Sequence, residues 1–93
     1  MENDFNKELE LFRAEIDETD KSILDLLNKR AKIVLEIKKL KIKHAMPLYD
    51  AKREESLLNN IIRYNNGPML NDNIIRIFDS ILKNMQTLKK DYV

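Results

Sequence analysis

Residues 5–43, FNKELELFRAEIDETDKSILDLLNKRAKIVLEIKKLKIK, contain neither glycine nor proline. Within them Leu9, Phe12, Ile16, Ile23, Leu26, Ile33, Ile37 and Leu40 fall on one series of alternating three- and four-residue steps. That spacing lines them up along one face of a helix as a heptad seam. A helix of about 39 residues is roughly 58 Å long. That is long for a chain of 93 residues. Two members of the series are polar, Thr19 and Arg30.

Beyond this segment, His44–Tyr49 contains Pro47 and reads as a short loop. Asp50 reads as the N-cap of a second helix from Ala51 to about Tyr64, with Leu57, Leu58, Ile61 and Ile62 on its apolar face. Asn65-Asn66-Gly67-Pro68 stops that helix. Asn71 or Asp72 then caps a third helix to about Lys90, striped by Ile74, Phe78, Ile81, Met85 and Leu88. The expectation is an all-α fold of long, short and medium helices, with residues 1–93 as a single domain. So short a chain buries a limited core and often gains stability by associating.

Composition excludes several function classes. Cysteine is absent, which removes disulfides and thiolate chemistry, and the single His44 cannot make a zinc site alone. No apolar run approaches the roughly 20 residues needed to span a bilayer. The start, MENDFNKELELF, lacks the basic and apolar parts of a signal peptide, so a cytoplasmic location is expected. A net charge of +1 argues against general attraction to nucleic acid. The charge is nonetheless uneven: residues 1–20 carry −6 and residues 30–43 carry +5. Macrodipole complementarity accounts for this, and so does antiparallel pairing of the helix with a second copy of itself.

Arg30 is the residue most in need of explanation. A guanidinium on a buried seam costs several kcal/mol unless it is paired. It can form a structural ion pair, snorkel outward, or receive an anionic ligand. Lys41 lies about 20° round the helix from Arg30 and roughly 16 Å along it, with Ile37 between. Two cations over an apolar floor can bracket a small dianion; alone, Lys41 reads as a solvated lysine. Asp50, Arg53 and Glu54 occupy the first turn of the second helix, where capping explains an acid without a ligand. Arg13 is about 25 Å from Arg30 along a straight helix. It can reach the same site only from a second chain. An antiparallel register whose paired numbers sum to 42 sets Leu9 against Ile33, Phe12 against Arg30 and Ile16 against Leu26. Arg13 of one chain then falls beside Arg30 of the other, twice over in a two-fold dimer.

Taken in order, these residues resemble a known family. Leu11-Phe12-Arg13-Ala14-Glu15-Ile16-Asp17, Asp20, Ile23 to Arg30, Ile37, Lys38 and Lys41 are similar to the first helix of the all-helical (AroQ-type) chorismate mutases. Pro47 with Asp50-Ala51-Lys52-Arg53-Glu54 resembles the start of that family's second helix. The resemblance spans about residues 8–90. Leu58-Asn59-Asn60-Ile61-Ile62 and Asn66-Gly67-Pro68 are similar to mutase modules joined to DAHP synthase in some bacteria, which implies a fusion to, or association with, that enzyme.

The resemblance implies rearrangement of chorismate to prephenate, on the way to phenylalanine and tyrosine, by an intertwined antiparallel homodimer without cofactor or metal. It implies that Arg30 and the partner's Arg13 bind the two substrate carboxylates. Lys41 would donate to the ether oxygen, Asp50 and Glu54 would meet the ring hydroxyl, and Arg53 would support the site. Ile37, Leu57 and Leu82 would form apolar walls. The family often has Gln or Glu where Lys89 stands, and a polar residue where Met85 stands. Lys89 can still donate toward the ether oxygen, whereas Met85 has no hydroxyl to offer. The reaction is pericyclic, so the task is to hold a compact conformer and stabilise charge on the breaking ether oxygen. Three alternatives stand beside it: an isochorismate-pyruvate lyase, a non-catalytic module sensing prephenate or chorismate to regulate DAHP synthase, and a plain helical dimerisation domain.

Overall fold

A computed structural model describes residues 2–89. Among these the elements are three helices: α1, Glu2–Lys43; α2, Ala51–Tyr64; and α3, Asn71–Gln86. The all-α expectation holds. The chain divides into two compact units, residues 1–33 and 34–93, so the boundary falls inside α1.

The first unit, over its described residues, is helix alone. Its surface is stabilised locally by Arg13–Glu10 and Lys21–Glu18 ion pairs at 3.0 and 3.2 Å. Such exposed pairs contribute only a few tenths of a kcal/mol each. Thr19, a polar member of the seam, returns its hydroxyl to the Glu15 carbonyl at 2.8 Å, so its polar group is satisfied within the helix. Its apolar neighbours remain exposed, Phe12 at 62% and Leu26 at 63%.

The second unit packs α2 against α3. Leu57, Leu58, Ile61 and Ile62 of α2 are all half-buried, as are Ile74, Phe78 and Ile81 of α3. Leu82 and Met85, at 7% and 8% exposure, are the buried centre. The apolar faces read from spacing are therefore the packed faces. They lie on the same side of their helices because steps of three and four return to one face.

The joints explain where the helices stop. Ala45 adopts φ 53°, in the left-handed region. The Ala45 amide donates to the Ile42 carbonyl at 3.1 Å and the Met46 amide to the Lys41 carbonyl at 2.8 Å. Those two bonds are a Schellman closure of α1, with Pro47 just beyond it. Asp50 caps α2 as expected, its Oδ1 accepting from the Arg53 amide at 3.1 Å. After Tyr64, Asn65 ties the turn together. Its Oδ1 accepts from the Gly67 amide at 3.0 Å, and its Nδ2 donates to the Met69 carbonyl at 2.9 Å and to Asn71 Oδ1 at 2.7 Å.

Both ends of α3 differ from the sequence reading. Its N-cap is Leu70, with no side-chain capping bond, rather than Asn71 or Asp72. The Leu70 carbonyl already accepts the first helical bond, from the Ile74 amide at 3.1 Å, which places Asn71 inside the helix with its carboxamide oxygen accepting from Asn65. The helix also ends at Gln86, with Thr87 as C-cap, so Leu88 and Lys89 are not helical. The expected end at Lys90 lies outside the described residues. The carbonyls at this end are satisfied from α1: Lys38 Nζ donates to those of Met85, Gln86 and Leu88.

Alanine in the left-handed region costs roughly 1–2 kcal/mol that glycine does not. Glycine's extra freedom in the unfolded chain returns part of that. Ala45→Gly is expected to stabilise the fold by up to about 1 kcal/mol, seen as a higher urea midpoint. An unchanged or lower midpoint would contradict the strain at Ala45.

Candidate functional site

Lys41 and Asp50 face the same space. Leu40, Lys41, His44, Met46, Pro47, Tyr49 and Asp50 line a cleft of about 490 Å³. The Schellman closure creates it, because turning the chain sharply after Lys43 brings the 46–50 loop back beside the last turn of α1. Lys41 is half-buried, and its Nζ donates to the Leu48 carbonyl at 3.3 Å, a bond that spans the loop. At that length the ammonium is held loosely and keeps donors for another acceptor.

Asp50 spends Oδ1 on the α2 amide and is otherwise exposed. Arg53 and Glu54 follow on the first turn, Arg53 exposed and Glu54 half-buried. Glu54 is engaged from α3: its Oε2 accepts from Gln86 Nε2 at 2.8 Å. That bond joins residues 32 apart in sequence. Sequence reasoning passed over Gln86, although its amide at the end of α3 is the polar group that reaches the α2 carboxylate. Met85, the neighbouring position carried over by resemblance, is buried at 8% exposure. Lys89 is exposed and lies past the end of α3.

A second cation, also passed over as a site group, lies near the same wall. Lys38 sits three residues before Lys41, on the same side of α1. Burial lowers its pKa from the ordinary lysine value, while its three carbonyl partners favour the ammonium. On α3, the exposed Lys83 is paired with Asp79 at 2.8 Å. Its pKa is raised by that hydrogen bond and by the Asp79 and Glu54 charges.

Arg13 and Arg30 belong to residues 1–33. Arg13 is exposed and paired with Glu10; Arg30 is half-buried. Among the described residues, no group of three or more His, Asp or Glu is arranged to hold a metal ion. No helix among them is long and apolar enough to cross a membrane.

The site of the second unit is thus a small cleft lined by Lys41 and Asp50, with Glu54 on the first turn of α2 beyond it. Residues 12–90 match the model of the family described as chorismate mutase type II. The chain belongs to that family. Among its relatives, the bifunctional chorismate mutase/prephenate dehydratase of Buchnera aphidicola (subspecies Schizaphis graminum) is 42% identical over 73 residues, covering 77% of this chain and 19% of that protein. The protein of the same name from Aquifex aeolicus is 33% identical over 88 residues, covering 90% of this chain and 24% of that one. The chain therefore spans about a fifth to a quarter of the length of these curated relatives. A solved structure of chorismate mutase (form II) from Thermus thermophilus superposes with a TM-score of 0.84 at 35% identity, covering 86% of this chain and 91% of that one.

Capping and charge can be separated at Asp50. Asp50→Ala is expected to cost about 1 kcal/mol of stability, while Asp50→Asn, an equally good cap, costs little. Denaturant midpoints for the two variants check this, and equal losses would contradict the capping role.

Proposed function

We propose that the chain converts chorismate to prephenate, as a chorismate mutase serving aromatic amino acid biosynthesis. The observation that carries this reading is the sharing of one cleft by Lys41 and Asp50 in a chain whose residues 12–90 match the family. No covalent or general-base chemistry is needed for this rearrangement. The protein has to select a compact substrate conformer and favour charge that grows on the ether oxygen. In this reading Lys41 donates to that oxygen and Lys89 adds a second donor. Arg30 and the partner subunit's Arg13 hold the two carboxylates through forked contacts. Asp50 and Glu54 receive the ring hydroxyl, with Arg53 beside them. Gln86 takes a part the sequence reading left empty: its amide orients the Glu54 carboxylate. Met85 contributes apolar packing to that wall.

The reading includes an antiparallel homodimer of residues 1–93 as one mutase domain. Two features support it. The seam side chains Phe12, Ile16, Ile23, Leu26 and Ile33 are exposed, and the sum-42 register maps the seam onto itself, Ile16 on Leu26 and Ile33 on Leu9, while bringing the acidic half of α1 against the basic half. Association with a DAHP synthase is carried only by the likeness of residues 58–62 and 66–68; the relatives' own names join the mutase to prephenate dehydratase.

The test is direct. Purified protein is incubated with chorismate, and the loss of chorismate and appearance of prephenate are followed. Conversion of isochorismate to pyruvate instead would establish the lyase, and binding without turnover would establish a sensing module. Lys41→Ala is expected to lower kcat at least a hundredfold, the scale of losing one donor to a developing oxyanion. Arg13→Ala should weaken turnover without unfolding the chain. Mixing the two impaired variants should recover part of the activity through hybrid dimers that hold one intact site. Absence of any recovery would sink the shared site.

A further inference from the structure

The end of α3 is held by a side chain from α1. The last carbonyls of a helix have no partner within it and carry the negative end of its dipole. Lys38 supplies the missing donors: Nζ lies 2.9 Å from the Met85 oxygen, 2.8 Å from the Gln86 oxygen and 2.9 Å from the Leu88 oxygen. An ammonium has three protons, so all of its donor capacity is spent on this one helix end. These are short, charge-assisted bonds, about twice as strong as neutral ones.

Gln86 is consequently pinned twice. Its carbonyl is held by Lys38 of α1, and its side-chain amide is held by Glu54 of α2. The Leu88 carbonyl is captured by the same ammonium, so the chain bends off the helical path immediately before Lys89. Lys38 has no role in the reaction as proposed above. Its ammonium donates to backbone oxygen atoms, and those oxygens belong to the residues that flank and form the α3 wall.

The geometry points to Lys38 as a positioning residue: by ending α3 at Gln86 it fixes the Gln86 amide on Glu54 and sets where Lys89 leaves the helix. This rests on the mutase reading, since that reading makes Glu54 and Lys89 site groups. The expected consequence is selective. Lys89 acts on charge that develops on the ether oxygen and Glu54 fixes the orientation of the ring, so loosening the wall lowers kcat more than it raises KM.

The experiment compares Lys38→Met, Lys38→Arg, Gln86→Ala and the Lys38→Met/Gln86→Ala double variant. Readouts are kcat and KM for chorismate and amide hydrogen exchange. Lys38→Met is expected to lose about tenfold in kcat with KM within about twofold, a loss in keeping with a small displacement of catalytic groups. Lys38→Arg keeps the charge but not the three-carbonyl geometry, and should lose about two- to threefold in kcat. The double variant should be little worse than Lys38→Met alone, because both changes break one linkage. Exchange in Lys38→Met should quicken over residues 82–89 and not in α2.

Wild-type kcat and KM in Lys38→Met, or losses that add fully with Gln86→Ala, would overturn the assignment. If Lys38→Met does not fold, Lys38→Arg decides: reduced kcat at unchanged melting temperature supports the assignment, and wild-type kcat overturns it. If the wild type itself does not convert chorismate, the mutase reading fails separately. The clamp is then judged on exchange alone, where unchanged protection of residues 82–89 refutes it.

Discussion

A stripe of apolar side chains along a helix must be covered, and residues 2–33 of this chain hold only helix. Each of these Phe, Ile or Leu side chains, a little over half exposed, forgoes about 1–2 kcal/mol of burial free energy. Phe12, Ile16, Ile23, Leu26 and Ile33 together therefore represent as much free energy as the whole stability of a small domain. Leu82 and Met85 are the buried side chains of the core, so the second unit cannot supply a large balance of its own. The uncovered seam is the constraint from which the rest follows. It gives the proposed homodimer its physical motive, and it sets Arg30 among side chains that a second helix would enclose.

The three helices were legible because their evidence is local. Unbroken three–four spacing specifies α1, and Asp50 before Ala51 specifies the start of α2. Asn65 to Pro68 stop α2 because Asn65 folds back on the turn through its own side chain. What was not legible depends on partners distant in the chain. Asn71 is a reasonable cap, yet it lies inside the helix with its oxygen accepting from Asn65. The stripe of α3 continues in sequence to Leu88, but the helix ends at Gln86, where an ammonium 47 to 50 residues away takes the carbonyls. Periodicity carries no information about such an encounter.

The candidate site divides in the same way. Lys41 and Asp50 were readable, since one stands near the end of a helix, the other at the start of the next, and a short loop must bring them close. The Glu54–Gln86 bond was not, because it depends on the relative setting of α2 and α3. Resemblance pointed to Met85 for that wall, one residue from the amide that reaches it. Adjacent helical residues point about 100° apart, and the hydrophobic core has claimed the Met85 direction.

The Lys38 lock grips carbonyl oxygens, which every residue possesses. It recognises backbone shape and is indifferent to the side chains at positions 85, 86 and 88. The lock makes no demand of its own on the side chains there or at Lys89, whereas it depends on the side chain at position 38. Stability of the wall and chemistry of the wall are thereby inherited separately. The groups carried by the wall can then be exchanged while the scaffold beneath them stays put.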